Sequence, residues 1–355
     1  MIPTVAKKSS NIIKINPDFP QRVHIQRAAT LLRKSGLVAF PTETVYGLGA
    51  DALDKAAVAR IFAAKQRPNW DPLIVHVRDI AMARSLAKDF PATLAEKFWP
   101  GPLTLVVEKA AHVPDEVTAG RPNVALRMPH HPVAAMLLAE AGLPIAAPSA
   151  NKFGRPSPTR AEHVLEDLGT SVDLILDAGP TLLGVESTVL DLTQSPPAIL
   201  RPGGVTREQL EAAIGPVTLA PSVADEVARE GPGMSPQHYA PLARVELFEG
   251  AMDDIANQML ARAIELRNRG RHTGAIICDE MIPLLDKTTE FISSFGKWGE
   301  WDRYAKRLFA AFRVLDAQGA VVILCVLPPG EGIGLAVRDR LQRAAGSPRS
   351  ERGKS

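Results

Sequence analysis

The chain has 355 residues, 46% of them hydrophobic and 23% charged, with a formal net charge of +2. That length supplies material for two folded domains, and the near-even charge makes no case for nucleic acid or a membrane surface as an obligatory partner. No run reaches transmembrane length, and the start MIPTVAKKSSNIIK lacks an apolar signal core, which points to a cytoplasmic enzyme or binding protein.

Residues 1 to about 18 read as a lead-in strand or arm, and from there to about residue 215 strand-like and helix-like runs alternate. SGLVAFPTETVYG predicts a strand and turn. LIVHV, PLTLVVE, NVALRMP, LPIAAPSA, DLILDAG, STVLDLT and AILRPG predict further strands. Helical patterns lie at DKAAVARIFAAK, PATLAEKFW, HPVAAMLLAEAG and TRAEHVLEDLG. Pro and Gly punctuate the strand ends, which places polar residues on loops held by a rigid sheet.

Residues 216–241 are rich in Pro, Ala and small polar residues and read as an interdomain linker, although GPGMSPQHYAP carries a Met, a His and a Tyr among turn formers. From 242 to 345, RVELFEG, TGAIICDE and AVVILCVL alternate with three amphipathic helices, the order of a small parallel sheet. Residues 346–355 read as a disordered tail. Cys278 and Cys325 lie in apolar runs and are expected to be buried, reduced thiols.

The chain lacks a GxxxxGK[ST] loop, a GxGxxG fingerprint, a GxSxG elbow, a CxxC pair and an HExxH motif. Chemistry by positioning and electrostatics is the natural class for such a chain. Lys65 and Arg67 follow a helical run that Pro68 should stop, with Arg67 pushed toward an extended conformation. Two cations there can clamp a polyanion or simply complement the helix dipole. Thr42, Glu43 and Thr44 follow the strand LVAF, either facing a ligand or capping a turn. Gly47 and Gly49 permit a close backbone approach or a tight turn. His76 alternates with Ile74 in LIVHV, and such a strand histidine is more often structural than catalytic. Arg127, inside an apolar strand, needs an anionic partner from protein or ligand. Ser149, Asn151 and Ser157 precede a helix, where they suit phosphate oxygens or an ordinary N-cap. Ser187, Thr188 and Arg201 again place polar groups at strand ends. His130 and His131 have no metal-motif spacing and read as surface.

PTETVYGLGADA, KQRP with DPLIVHV, FWPGPLTLVV, VALRMPHHP, PSANKFGRPSPT, GVESTVLDL and ILRPGG, in that order over roughly residues 20–210, resemble the YrdC-like family. PGMSPQHYAP and EGIGLAVRDRLQRAA resemble its longer, two-domain members, the threonylcarbamoyl-AMP synthases. The resemblance implies an α/β fold: a YrdC-like twisted open sheet with a concave active-site surface over residues 1–215, the linker as a lid, and a smaller Rossmann-like domain. It implies that L-threonine, bicarbonate and ATP give threonylcarbamoyl-AMP and pyrophosphate. The product would pass to the tRNA threonylcarbamoyl transferase machinery that modifies the adenosine beside the anticodon in tRNAs reading codons that start with A.

Carried over residue by residue, Thr44, His76, Arg127 and Ser187, with the backbone near Ala147, are the implied threonine contacts. Lys65 and Arg67 are the implied catalytic cations facing phosphates and carbamate. Arg67, Asp71, Asn123, Ser149, Asn151, Ser157, Arg201 and Tyr239 are the implied nucleotide contacts, with Tyr239 covering the nucleotide and Mg²⁺ carried mainly by ATP and water. Asp71 stands where Asn is commoner, bringing negative charge toward the phosphates. Two readings compete: an RNA-binding module of the same fold, and a carbamoyltransferase-type relative, which would need further domains.

Overall fold

The computed structural model describes residues 11–220 and 239–346. The start of the lead-in arm, most of the linker, including GPGMSPQH, and the tail beyond Gly346 lie outside the described residues. The first domain is a mixed sheet of eleven strands among those described, in the order Ile12–Lys14, Leu174–Asp177, Val38–Pro41, Tyr46–Asp51, Ile145–Ala146, Ile74–His76, Asn123–Arg127, Leu103–Glu108, Thr188–Asp191, Ala198–Arg201, Thr218–Leu219. It is an open mixed sheet with a hydrophobic core on each face, in keeping with the α/β fold that the motifs imply. Thr218–Leu219, within the segment read as linker, pairs in parallel with Ala198–Arg201 and extends the sheet by one strand.

Strand periodicity explains how both faces are buried. Leu37 and Ala39 enter one core with the helices Lys55–Lys65 and Ala161–Leu168, while Val38 and Phe40 enter a second with Arg22–Leu32 and Pro132–Ala141. The helix Arg22–Leu32 has no counterpart among the expected elements. Its apolar residues Ile25, Ala28, Ala29 and Leu32 recur at helical spacing, but Gln21 makes no capping hydrogen bond to announce the start. Gly47 and Gly49 form strand rather than turn: a Cβ at Gly49 would come within 2.8 Å of both Ile145 and Phe40.

The second domain is a four-stranded, all-parallel sheet in the order Arg244–Phe248, Val322–Val326, Thr273–Ile277, Phe291–Ser294. The helices Met252–Asn268, Trp301–Ala317 and Gly332–Ala345 match the amphipathic runs. Cys278 and Cys325 are buried free thiols. Among the described residues no helix is long and apolar enough to cross a membrane.

The domains are packed, not merely tethered. Val45 and Val185 of the first belong to the hydrophobic core of the second. Gly184 (φ +79°) lies where a Cβ would meet the Lys306 Cα at 2.5 Å. Arg313 reaches back to Asp167 at 2.7 Å and to the Pro156 carbonyl at 2.6 Å, all three groups being buried.

Candidate active site

The first sheet carries an open cleft, with Tyr239 among its lining residues. Its wall carries Thr42, Thr44, Val45, Gly47, Arg67, Ile74, His76, Arg127, Ala147, Pro148, Ser149, Glu186, Ser187, Arg201 and Tyr239. Nine of the fourteen residues proposed from sequence therefore meet at one place: Thr44, Arg67, His76, Arg127, Ala147, Ser149, Ser187, Arg201 and Tyr239. The loop Thr42–Val45 is shaped by the Thr42 hydroxyl, which donates to the Val45 carbonyl at 2.7 Å and lies 2.7 Å from the Thr44 hydroxyl.

Arg127 finds its anion in the protein. Glu43 Oε1 lies 2.7 Å from Nη2. Nη1 donates to Thr44 Oγ1 at 3.0 Å and Nε to the Gly101 carbonyl at 3.2 Å. A guanidinium has five N–H groups, so this anchoring leaves donors for a ligand. His76 is buried, and Nδ1 has no hydrogen-bond partner among the described residues. Burial first, and then the Arg127 charge, push its pKa down to about 3. The imidazole is neutral at pH 7 and far too weak a base for proton abstraction.

Lys65 and Arg67 are not exposed cap residues; 1% and 7% of their surface is accessible. The helix Lys55–Lys65 starts at Asp54, whose carboxylate accepts from Ala56 N, and it ends at Gln66 in the left-handed conformation, just before Pro68. That ending turns the two cations apart. Arg67 reaches the cleft, with Nε on the Asp71 carbonyl at 3.1 Å and Nη2 on the Pro72 carbonyl at 2.9 Å. Lys65 instead passes beneath the Pro148–Asn151 loop and donates to the carbonyls of Ser149 and Asn151, both at 2.5 Å. It is a loop anchor and not part of the cleft wall. Burial, and then the Arg67 charge, hold its pKa well below the ordinary lysine value.

Four further residues also fall outside the wall. Asp71 is the buried counter-ion of Arg67, at 2.9 Å, so its charge orients a guanidinium instead of confronting the cleft. Asn151 donates to the carbonyls of Lys152 and Arg155 and shapes the loop. Ser157 donates to Glu186. Asn123 opens the strand Asn123–Arg127 and pairs with Glu108, which puts it about 13 Å along the strand from Arg127. It is not brought to the cleft.

Glu186, next to Ser187, is the charged wall residue that motif reading missed. Its carboxylate takes the Ser157 hydroxyl on Oε1 and Arg340 Nε on Oε2 at 2.7 Å. Burial raises its pKa, but the charges of Arg340 and Arg201 and these hydrogen bonds outweigh that and hold it below the ordinary value. Arg201 donates to the Ser187 carbonyl at 3.0 Å and hydroxyl at 3.2 Å. Tyr239 (φ +65°) stacks on Phe309 of the second domain, with centroids 5.4 Å apart. The wall thus presents three guanidiniums and one carboxylate, a field suited to an anionic ligand.

A family described as Telomere recombination (Sua5, YciO, YrdC) matches residues 30–203, and one described as Threonylcarbamoyl-AMP synthase, C-terminal domain, matches residues 205–346. The threonylcarbamoyl-AMP synthase of Bacillus subtilis is 43% identical over 91% of this chain and 93% of its own length. That of Pyrococcus abyssi is 44% identical over 91% and 94%. A crystal structure of P. abyssi Sua5 complexed with L-threonine superposes with a TM-score of 0.89 at 42% identity, covering 94% of this chain and 97% of that one. Both domains and their order are accounted for together: the chain belongs to the threonylcarbamoyl-AMP synthase family, as a two-domain, YrdC-like member.

Proposed function

We propose that this synthase joins L-threonine, bicarbonate and MgATP into threonylcarbamoyl-AMP and pyrophosphate, and supplies the threonylcarbamoyl group for the adenosine beside the anticodon of tRNA. The observation that carries the reading is the pairing of two environments in one cleft. One set, joined by direct interactions, is Thr44, neutral His76 and Arg127; another is Arg67 and Arg201, both interacting with Tyr239, and Ser149 also lies on the wall. The first set suits a zwitterionic amino acid: the remaining Arg127 donors meet the carboxylate, and His76 Nδ1 accepts from the amino group or hydroxyl. The second suits phosphates and a nucleoside.

The threonine ammonium and bicarbonate give a carbamate, one water and one proton. A carbamate oxygen then attacks the α-phosphorus, and the bond to the pyrophosphate oxygen breaks. His76 cannot hold the released proton near neutral pH, so the proton leaves to solvent or bicarbonate. The protein's contribution is alignment, exclusion of water and neutralisation of charge by Arg67 and Arg201. Glu186, the wall's carboxylate, is already engaged by Ser157 and Arg340. Mg²⁺ therefore arrives with the substrate, carried by the phosphates of ATP.

Purified protein with ATP, Mg²⁺, bicarbonate and single amino acids tests this. Pyrophosphate release should require both threonine and bicarbonate; equal release with serine, valine and threonine would refute it.

A further inference from the structure

Arg340 belongs to the last helix of the second domain, Gly332–Ala345, yet its contacts converge on the cleft of the first. It is fully buried, with 0% of its surface accessible. Nε donates to Glu186 at 2.7 Å and Nη2 to the Pro202 carbonyl at 3.0 Å, and the guanidinium carbon lies 5.0 Å from the centroid of the Tyr239 ring. Those partners are a wall carboxylate, the neighbour of the wall residue Arg201, and the wall aromatic. Behind it, Asp339 pairs with Nη1 at 2.5 Å and takes Arg343 Nε at 2.9 Å, so the fork is held from both sides.

We infer that Arg340 is a positioning residue of the synthase. It neutralises Glu186 from the second domain, so that the cleft accepts a polyanionic nucleotide only when that domain is docked. The inference rests on the reading that MgATP enters this cleft. Glu186 interacts electrostatically with both Arg340 and Arg201. Without Arg340, the carboxylate keeps the Ser157 hydrogen bond but has Arg201 as its remaining cation. That both adds negative charge to the wall and draws a guanidinium away from the phosphates. The second domain is thereby a component of the active site through charge compensation, in addition to the stacking of Tyr239 on Phe309.

Calorimetric titration of a non-hydrolysable ATP analogue with Mg²⁺, and separately of threonine, tests this on full-length wild type, Arg340→Gln, Glu186→Gln and the double variant. One uncompensated unit charge about 8 Å from an anionic group, at an effective dielectric of about 20, lowers affinity roughly thirtyfold. Arg340→Gln should lose about that much for the nucleotide and far less for threonine, a zwitterion without net charge. The double variant removes the whole ion pair and restores the net charge of the wall, so its nucleotide affinity should return to within about threefold of wild type. A purely structural role would lower both affinities together and would not be relieved by removing the Glu186 charge. Equal loss for both ligands, or a double variant no tighter for the nucleotide than Arg340→Gln alone, overturns the inference. Should Arg340→Gln fail to fold, the double variant still decides: a nucleotide affinity tenfold below wild type overturns it. Wild type that releases no threonine-dependent pyrophosphate sinks the functional reading itself, and this inference with it.

Discussion

Replacing Lys65 by Met separates the loop anchor from the phosphate contact that motif reading assigned to it. Methionine refills most of the buried volume but leaves the carbonyls of Ser149 and Asn151, each now 2.5 Å from Nζ, without that donor. A buried acceptor losing its partner costs about 1–3 kcal/mol, so two of them, less the recovered packing, amount to about 3 kcal/mol. At about 2–4 °C per kcal/mol for a domain of this size, thermal unfolding should shift down by about 6–12 °C. Turnover should fall as well, because Pro148 and Ser149 form part of the wall. Linkage adds a second signature. The folded-state pKa of Lys65 is depressed, while the unfolded value is near 10.4. Between the two the unfolded chain binds the extra proton, so wild-type stability climbs as pH rises through that window, and Lys65→Met removes this contribution. Scanning calorimetry with a pH series reads both. An unfolding temperature within about 2 °C of wild type, combined with lost turnover, would refute the anchor and return Lys65 to direct contact with ligand.

Other substitutions divide stability from binding. Arg127→Ala should weaken threonine binding at least tenfold and destabilise the fold by about 3 kcal/mol, by leaving buried Glu43 without its partner. Adding Glu43→Gln should recover stability in urea unfolding but not threonine affinity, and recovery of both would remove Arg127 from the site. His76 and His163 are pushed down to about 3 and about 4 by burial and neighbouring arginines. The unfolded chain protonates near pH 6.5, so stability is full above that pH and should fall by about 2 kcal/mol per histidine at pH 5. Denaturation midpoints at the two pH values check this, with His163→Gln expected to show the smaller drop. Tyr239→Phe should keep the stack on Phe309 and stay within about 1 kcal/mol of wild type, whereas Tyr239→Ala should lose about 3 kcal/mol and most synthesis. Equal unfolding temperatures for the two variants would speak against the stack as a docking contact.

Where the chain's pattern is periodic, its elements are legible. The strands around Val38–Pro41, Leu103–Glu108 and Val322–Val326 and the helix Trp301–Ala317 all lie within their sequence-predicted runs. Arg22–Leu32 escapes because it lacks a capping side chain, and Phe291–Ser294 because four partly buried residues carry no clear alternation. At the cleft, polar residues at strand ends were readable as a class, and most of them do converge. What sequence could not supply was the direction of each long side chain. Lys65 and Arg67 are two residues apart, but the left-handed Gln66 between them sends one beneath a loop and the other to the wall. Glu186 was hidden for a different reason. Its meaning depends on Arg340, 154 residues away and in another domain.

The same rule governs every guanidinium of the cleft. A buried guanidinium is costly unless a carboxylate or several carbonyls compensate it. Arg67 has Asp71 behind it, Arg127 has Glu43, and Arg201 shares Glu186 with Arg340. In the first two cases the carboxylate is off the wall and the guanidinium is on it. The interior is thereby close to charge balance while the surface offered to a ligand is cationic. Each arginine is also held in one orientation before any phosphate arrives, which lowers the ordering cost of binding. Glu186 breaks the pattern, because it lies on the wall itself. Its compensation therefore cannot come from the first domain's arginines without taking a donor from the ligand. A cation contributed by the second domain resolves that conflict, and it makes domain docking and nucleotide affinity two readings of one buried ion pair.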